Sequence, residues 1–152
     1  MESILFVEPH QDKALSITSS FSTMNVITKI AQSKEEARGM LNLGNFDLIV
    51  LDVSLEGDPE GGISLLRSIR EEGNWVPACF YTDMNRDEIC DKMGGFNCLS
   101  VIPKQASNED LVSKVMGYLA IAAPAGREEL QEMTSMVKAI KATFDKLQSK
   151  LG

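Results

Sequence analysis

Asn45-Phe46-Asp47-Leu48-Ile49-Val50-Leu51-Asp52 is the stretch whose reading decides the fold. Four large aliphatic residues run together and end in a single carboxylate, after a Gly44-Asn45 turn signal and before a loop rich in Gly and Pro. An apolar run of that length with such boundaries reads as a strand buried on both faces, the usual state in a parallel sheet. Asp52 is therefore expected at a strand's carboxyl end. In open α/β sheets that edge collects ligands and chemistry, because the crevices between outgoing loops lie there. An Asp that only caps a strand-to-loop turn would look the same. The other strands have to decide.

They follow at regular intervals. Ser3 to Val7 is a short apolar strand ending in Glu8-Pro9-His10, which brings a second carboxylate to a strand end, with Pro9 stopping the ladder. Ala14, Leu15, Ile17, Thr18 and Phe21 share one helical face. Val26 to Ala31 reads as a strand, and Ser33 with Glu36 three residues on has the capping-box pattern of a helix start; Ala37, Met40 and Leu41 are its expected buried face and Gly44 its end. Residues Val53 to Gly62 are expected to be an irregular loop. Ile63, Leu65, Leu66 and Ile69 form the next helical stripe, closed by Gly73-Asn74. A fourth strand, Val76 to Thr82, sets a hydroxyl at its end; a short helix over 86–93 stops at Gly94-Gly95; a fifth strand, Cys98 to Pro103, is followed by Lys104. Ser107 then caps a helix through Leu111, Val115, Met116 and Leu119. Five strands alternating with five helices, joined by connections long enough for βαβ crossovers, predict a doubly wound parallel sheet, flavodoxin-like, with strand order 2-1-3-4-5.

The chain has 152 residues, enough for one well-buried domain and an appendage. We expect a domain over 1–122, a linker over 123–126 and an amphipathic helix over 127–152. The net charge of −7 is uneven: −8 falls on residues 1–126 and +1 on 127–152. Such acidity argues against direct nucleic-acid binding, which needs a basic face. Cys79, Cys90 and Cys98 are odd in number and lack metal-type spacing, so free thiols in a reducing cytoplasm are expected, with Cys79 a small core residue. No apolar run approaches the roughly 20 residues that span a bilayer, and Met1 leads into a strand rather than a signal sequence.

The strand ends deliver Glu8, Asp52, Thr82 and Lys104 to one edge. An Asp can attack a phosphoryl group there, carboxylates can hold a divalent cation, and Thr and Lys can hydrogen-bond what is transferred. Over residues 3 to about 122 the sequence resembles the receiver domain of two-component response regulators. Ile-Leu-Phe-Val-Glu at 4–8 matches the acidic end of the first strand, Leu-Ile-Val-Leu-Asp at 48–52 the phosphoacceptor strand, and Thr82 and Lys104 the phosphoryl-binding pair. The resemblance implies that a histidine kinase or phosphotransfer protein hands a phosphoryl group to Asp52, with Mg²⁺ held by Glu8, Asp52 and the Ser54 backbone carbonyl.

The departures from the family pattern carry their own expectations. Pro9 stands where members usually have a second acid that touches Mg²⁺, so metal binding should be weak. Asp12, Glu56 or Asp58 would have to compensate, although solvated loop and cap roles suit them better. His10, beside Pro9, is expected to be simply exposed. The loop after Asp52 lacks the usual Pro-x-Met-x-Gly and reaches Gly61-Gly62 late. Gln105 follows Lys104 where Pro is usual, and Val101 replaces the aromatic that commonly swings during switching. Two readings compete: a phosphorylatable receiver signalling through protein contacts around the fourth helix and fifth strand, and a pseudo-receiver serving as a phosphorylation-independent interaction module. A hydrolase using Asp52 as nucleophile is a third, disfavoured by the lack of a cap domain and by Ser54 where a second Asp would stand; the chain is not expected to be an enzyme.

In the appendage, Leu130, Met133, Val137, Ile140, Phe144, Leu147 and Leu151 alternate three and four apart, a heptad seam. Glu128, Glu129 and Glu132 lie in its first turns and Lys146 and Lys150 in its last, as the helix dipole favours. The expectation is a homodimer through 127–152, by a bundle or antiparallel contact since flanking charges fix no orientation; folding back onto the domain is the alternative. No output domain is recognised, so output passes to an unidentified partner protein or through this helix.

Overall fold

The computed structural model of the chain describes residues 1–94, 100–121 and 138–148. Five strands, β1 (Glu2–Val7), β2 (Val26–Ala31), β3 (Leu48–Asp52), β4 (Ala78–Tyr81) and β5 (Ser100–Ile102), form one sheet in the order β2-β1-β3-β4-β5. Every pairing is parallel. Between and after them run α1 (Gln11–Ser20), α2 (Lys34–Leu43), α3 (Gly61–Glu71), α4 (Arg86–Met93) and α5 (Asn108–Ile121). This is the flavodoxin-like topology that the alternation of elements predicts.

The two-residue period of the strands sorts their side chains into two cores. Leu5, Val7, Ile49, Leu51, Ala78 and Phe80 face Ala37 of α2, Ile63, Leu66 and Ile69 of α3, and Ile89 and Met93 of α4. Ile4, Phe6, Leu48, Val50, Cys79 and Tyr81 face Ile17 of α1, Phe21, and Leu111, Val115 and Leu119 of α5. All five residues of β3 are buried, as the central strand of a sheet covered on both sides must be. The Ser33 hydroxyl accepts from the Glu36 amide at 3.1 Å, as the capping box predicts, but the Glu36 carboxylate turns to the Gln32 amide instead of the cap residue's own.

Three boundaries differ from the sequence reading for local reasons. β4 begins at Ala78, not Val76, because Pro77 has no N–H to give the ladder; only its carbonyl takes part, accepting from Ile49 N at 2.8 Å. β5 covers Ser100–Ile102, with Pro103 ending it and 98–99 outside the described residues, as is Gly95. The loop expected over 53–62 ends at Glu60, where α3 takes over, and within it Leu55 and Asp58 exchange both backbone hydrogen bonds, at 3.0 and 2.9 Å. Glu56 (φ 54) and Gly57 (φ 77) make the turn between them, the pair of positive φ values that closes a two-residue hairpin. Leu55 is thereby buried. α3 then starts at Gly61-Gly62, where a Cβ on Gly62 would collide with the Asp52 carbonyl.

Residues 138–148 form a helix, α6, all of whose residues are exposed. Ile140, Phe144 and Leu147 stand 65%, 57% and 54% exposed. Leu130, Met133, Val137 and Leu151 of the seam, and the linker 123–126, lie outside the described residues. No helix among the described residues is long and apolar enough to cross a membrane.

Candidate functional site

The parallel register sets the site. Val7 pairs with Leu51, so Glu8 and Asp52 leave adjacent strands side by side. Asp52 in turn pairs with Tyr81, which puts Thr82 one residue beyond it, and Tyr81 pairs with Ile102, two residues before Lys104. Glu8 (2% exposed), Asp52 (3%) and Thr82 (8%) are three of the four buried polar residues among those described. Lys104 Nζ lies 2.7 Å from Asp52 Oδ2. The four residues expected from strand ends thus converge at one edge.

Each side chain has a defined partner. Asp52 Oδ1 accepts from the Ser54 amide at 3.2 Å, and the Thr82 hydroxyl oxygen accepts from the Met84 amide at 3.2 Å, a role that leaves its proton to donate. Burial works against the Lys104 ammonium, but the hydrogen bond and charge of Asp52, with Glu8 and Tyr81 behind them, outweigh it and hold the ammonium above the ordinary lysine value. The site is a carboxylate at the floor of an edge, one oxygen on a lysine and the other on a backbone amide.

His10 is exposed, as expected, but its ring has a partner. Its side chain is 75% exposed, yet Nδ1 lies 3.0 Å from Glu8 Oε1. His10 occupies the N-cap position of α1. Glu56 and Asp58 turn away from Asp52. Glu56 Oε1 accepts from Lys34 N at 2.9 Å at the start of α2, and Asp58 Oδ1 accepts from Glu60 N at 2.9 Å. Asp12 is exposed in the first turn of α1. These are the cap and loop roles that suited them in the sequence.

The donor set for a cation is correspondingly lean. No group of three His, Cys, Asp or Glu close enough to hold a metal ion occurs among the described residues. Mg²⁺ does not require one: it keeps several waters and uses one or two carboxylates plus phosphate oxygens. Glu8 and Asp52 meet that minimum, and nothing on the Pro9 side chain adds to it.

Two contacts were not legible in the sequence. Tyr81 Oη donates to the Lys104 carbonyl at 3.2 Å, and the Lys104 amide donates to Asp83 Oδ1 at 3.0 Å. Tyr81 reads only as a core aromatic and Asp83 only as a turn residue; the one available hint was that they flank Thr82. Lys92 of α4 pairs with Glu60, at the foot of α3.

The family model for the response regulator receiver domain matches residues 4–116. The chain belongs to that family. Among solved structures it is similar to a two-component response regulator from Clostridium difficile, 22% identical, over 82% of this chain and 100% of that one, with a TM-score of 0.70. It is similar to a CheY-like receiver domain protein from Methanospirillum hungatei JF-1, 18% identical over 80% and 96%, with a TM-score of 0.70. A third similar structure carries the yeast Spc42 trimeric coiled coil fused to another solved structure; at 22% identity and a TM-score of 0.69 the match covers 99% of this chain and 97% of that one. No curated protein matches the chain.

Proposed function

We propose that the chain is a phosphorylatable receiver in which Asp52 accepts a phosphoryl group from a histidine kinase or phosphotransfer protein. The observation that carries this reading is the buried Asp52 carboxylate with the Lys104 ammonium 2.7 Å from one oxygen. An Asp52 oxygen attacks phosphorus, the P–N bond of the donor phosphohistidine breaks, an acyl phosphate forms, and the departing imidazole takes a proton from water. Lys104 follows the new phosphoryl oxygens and the Thr82 hydroxyl donates to another. Mg²⁺, when bound, supplies positive charge against those oxygens, with Glu8, Asp52 and the Ser54 carbonyl as the protein's donors. Its binding is weak because Pro9 brings no oxygen.

Signalling then passes to a partner protein through the α4–β5 surface. Val101 offers no aromatic switch, but the Lys92–Glu60 pair joins α4 to the loop that follows Asp52. The exposed stripe Ile140, Phe144 and Leu147 supports homodimerisation through 127–152. A cytoplasmic setting fits the free thiol of Cys90. Incubation with a phosphohistidine donor and Mg²⁺ should label the wild type and leave Asp52→Asn unlabelled; a wild type that stays unlabelled beside an ordinary receiver overturns the reading.

The pseudo-receiver is the second reading, and one contact favours it: His10 Nδ1 already engages one carboxylate oxygen of Glu8, a residue that would hold the cation. In that case the fold presents α4, β5 and α6 to partners without phosphoryl chemistry.

A further inference from the structure

We propose that Tyr81 and Asp83 are positioning residues that clamp the Lys104 backbone from both sides and so aim its ammonium at Asp52. The inference rests on Lys104 being the phosphoryl-binding lysine. Lys104 stands on a turn just past β5, closed by Ala106 N to Pro103 O at 3.1 Å. A lysine on a turn has a mobile backbone beneath four flexible methylenes, so holding Nζ at 2.7 Å from a fixed carboxylate needs the backbone fixed first.

The end of β4 does this with three consecutive residues. The Thr82 amide donates to the Ile102 carbonyl at 2.8 Å, the last rung of the ladder. Asp83 Oδ1 then takes the Lys104 N–H at 3.0 Å, and Tyr81 Oη gives its proton to the Lys104 C=O at 3.2 Å. The N–H and C=O belong to the two peptide planes that flank the Lys104 Cα. Holding both fixes the two backbone dihedrals that orient its side chain. Among the described residues every peptide bond is trans, so Lys104 is aimed here without a cis bond.

Tyr81 is itself anchored. It is 6% exposed in the core under α1 and α5, Lys13 Nζ lies 4.4 Å from its ring centroid, and its Cα is the register partner of Asp52. The residue that pairs beside the acceptor carboxylate therefore also holds the carbonyl of the lysine that serves it. Displacement of a catalytic group by about 1 Å can cost up to a hundredfold in rate, so loosening one of two tethers is expected to cost about tenfold.

The test compares Asp83→Ala, Asp83→Asn and Tyr81→Phe in the full chain. Asn keeps the Oδ1 acceptor and Ala removes it; Phe keeps the ring and removes one O–H. Asp83 is exposed, so its variants keep the core intact. With acetyl phosphate and Mg²⁺, D83A and Y81F should label Asp52 about tenfold more slowly than wild type, with D83N within about twofold and thermal midpoints near wild type for the Asp83 variants. Wild-type rates in D83A and Y81F overturn the proposal, as does a D83N as slow as D83A. Hydrogen exchange at the Lys104 amide, read without any phosphoryl donor, separates this from failure of the phosphoacceptor reading. Slow exchange in wild type and D83N with fast exchange in D83A supports the clamp even if nothing labels; equal exchange in all three overturns it.

Discussion

Replacing Lys104 by Met removes the ammonium from Asp52 Oδ2 while keeping most of the apolar stem. Asp52, 3% exposed, is left with one amide contact, from Ser54 at 3.2 Å, beside the equally buried Glu8. Breaking a buried ion pair from one side costs about 3–5 kcal/mol. The Lys104 side chain is 32% exposed against 3% for Asp52, so water screens one end of the pair and the expected loss falls to about 2 kcal/mol. Urea denaturation at neutral pH, with a slope of about 1–3 kcal/mol/M, should show the midpoint falling by about 1 M. The same substitution in an Asp52→Asn background should cost about 1 kcal/mol or less, because only the neighbouring Glu8 carboxylate, which no hydrogen bond ties to the ammonium, then loses it. A K104M midpoint at or above wild type, or an equal cost in both backgrounds, would refute the pairing.

The pair also sets an alkaline limit: with the Lys104 value raised in the folded state, its contribution is whole below the ordinary lysine range and lost as pH rises through the raised value. Wild-type and K104M stabilities should therefore converge at high pH, and a constant gap would contradict this. Pro9→Asp should bind Mg²⁺ more tightly than wild type by calorimetry; equal affinities would remove Pro9 as the cause of weak binding. Gly62→Ala, which drives a methyl into the Asp52 carbonyl, should cost more than about 3 kcal/mol or prevent folding, and a melt near wild type would show that the strand end can give way. Phe144→Asp should convert the full chain from dimer to monomer by light scattering; a monomeric wild type would leave the fold-back alternative standing.

The fold was legible because β3 and its neighbours announce themselves twice, by apolar runs and by the residues that stop them. Crossover rules make the sheet parallel and right-handed once five strands alternate with five helices, and 2-1-3-4-5 is the flavodoxin-like choice among the doubly wound orders they allow. What misled were positions where one residue overrides its neighbourhood. Pro77 delays β4 despite Val76, and Glu56 takes the positive φ that a run of Gly, Pro and acid conceals. At the site, Glu8, Asp52, Thr82 and Lys104 could be placed at strand ends because register carries them there. The bonds that orient them could not, since Tyr81 to Lys104 spans 23 residues and depends on how a turn bends back. The contact of the exposed His10 ring with Glu8, two residues back, was hidden for the same reason.

The central claim is that Asp52 carries an acyl phosphate, and its chemistry allows a direct reading. After incubation with acetyl phosphate and Mg²⁺, borohydride cleaves an acyl phosphate and leaves the reduced side chain, homoserine, at the phosphorylated position. Peptide mass mapping should find homoserine at 52 in the wild type and at no other aspartate, and none in Asp52→Asn. An unreduced Asp52 under conditions that convert the acceptor of an ordinary receiver, or homoserine at Asp58 or Asp83 instead, would contradict the account.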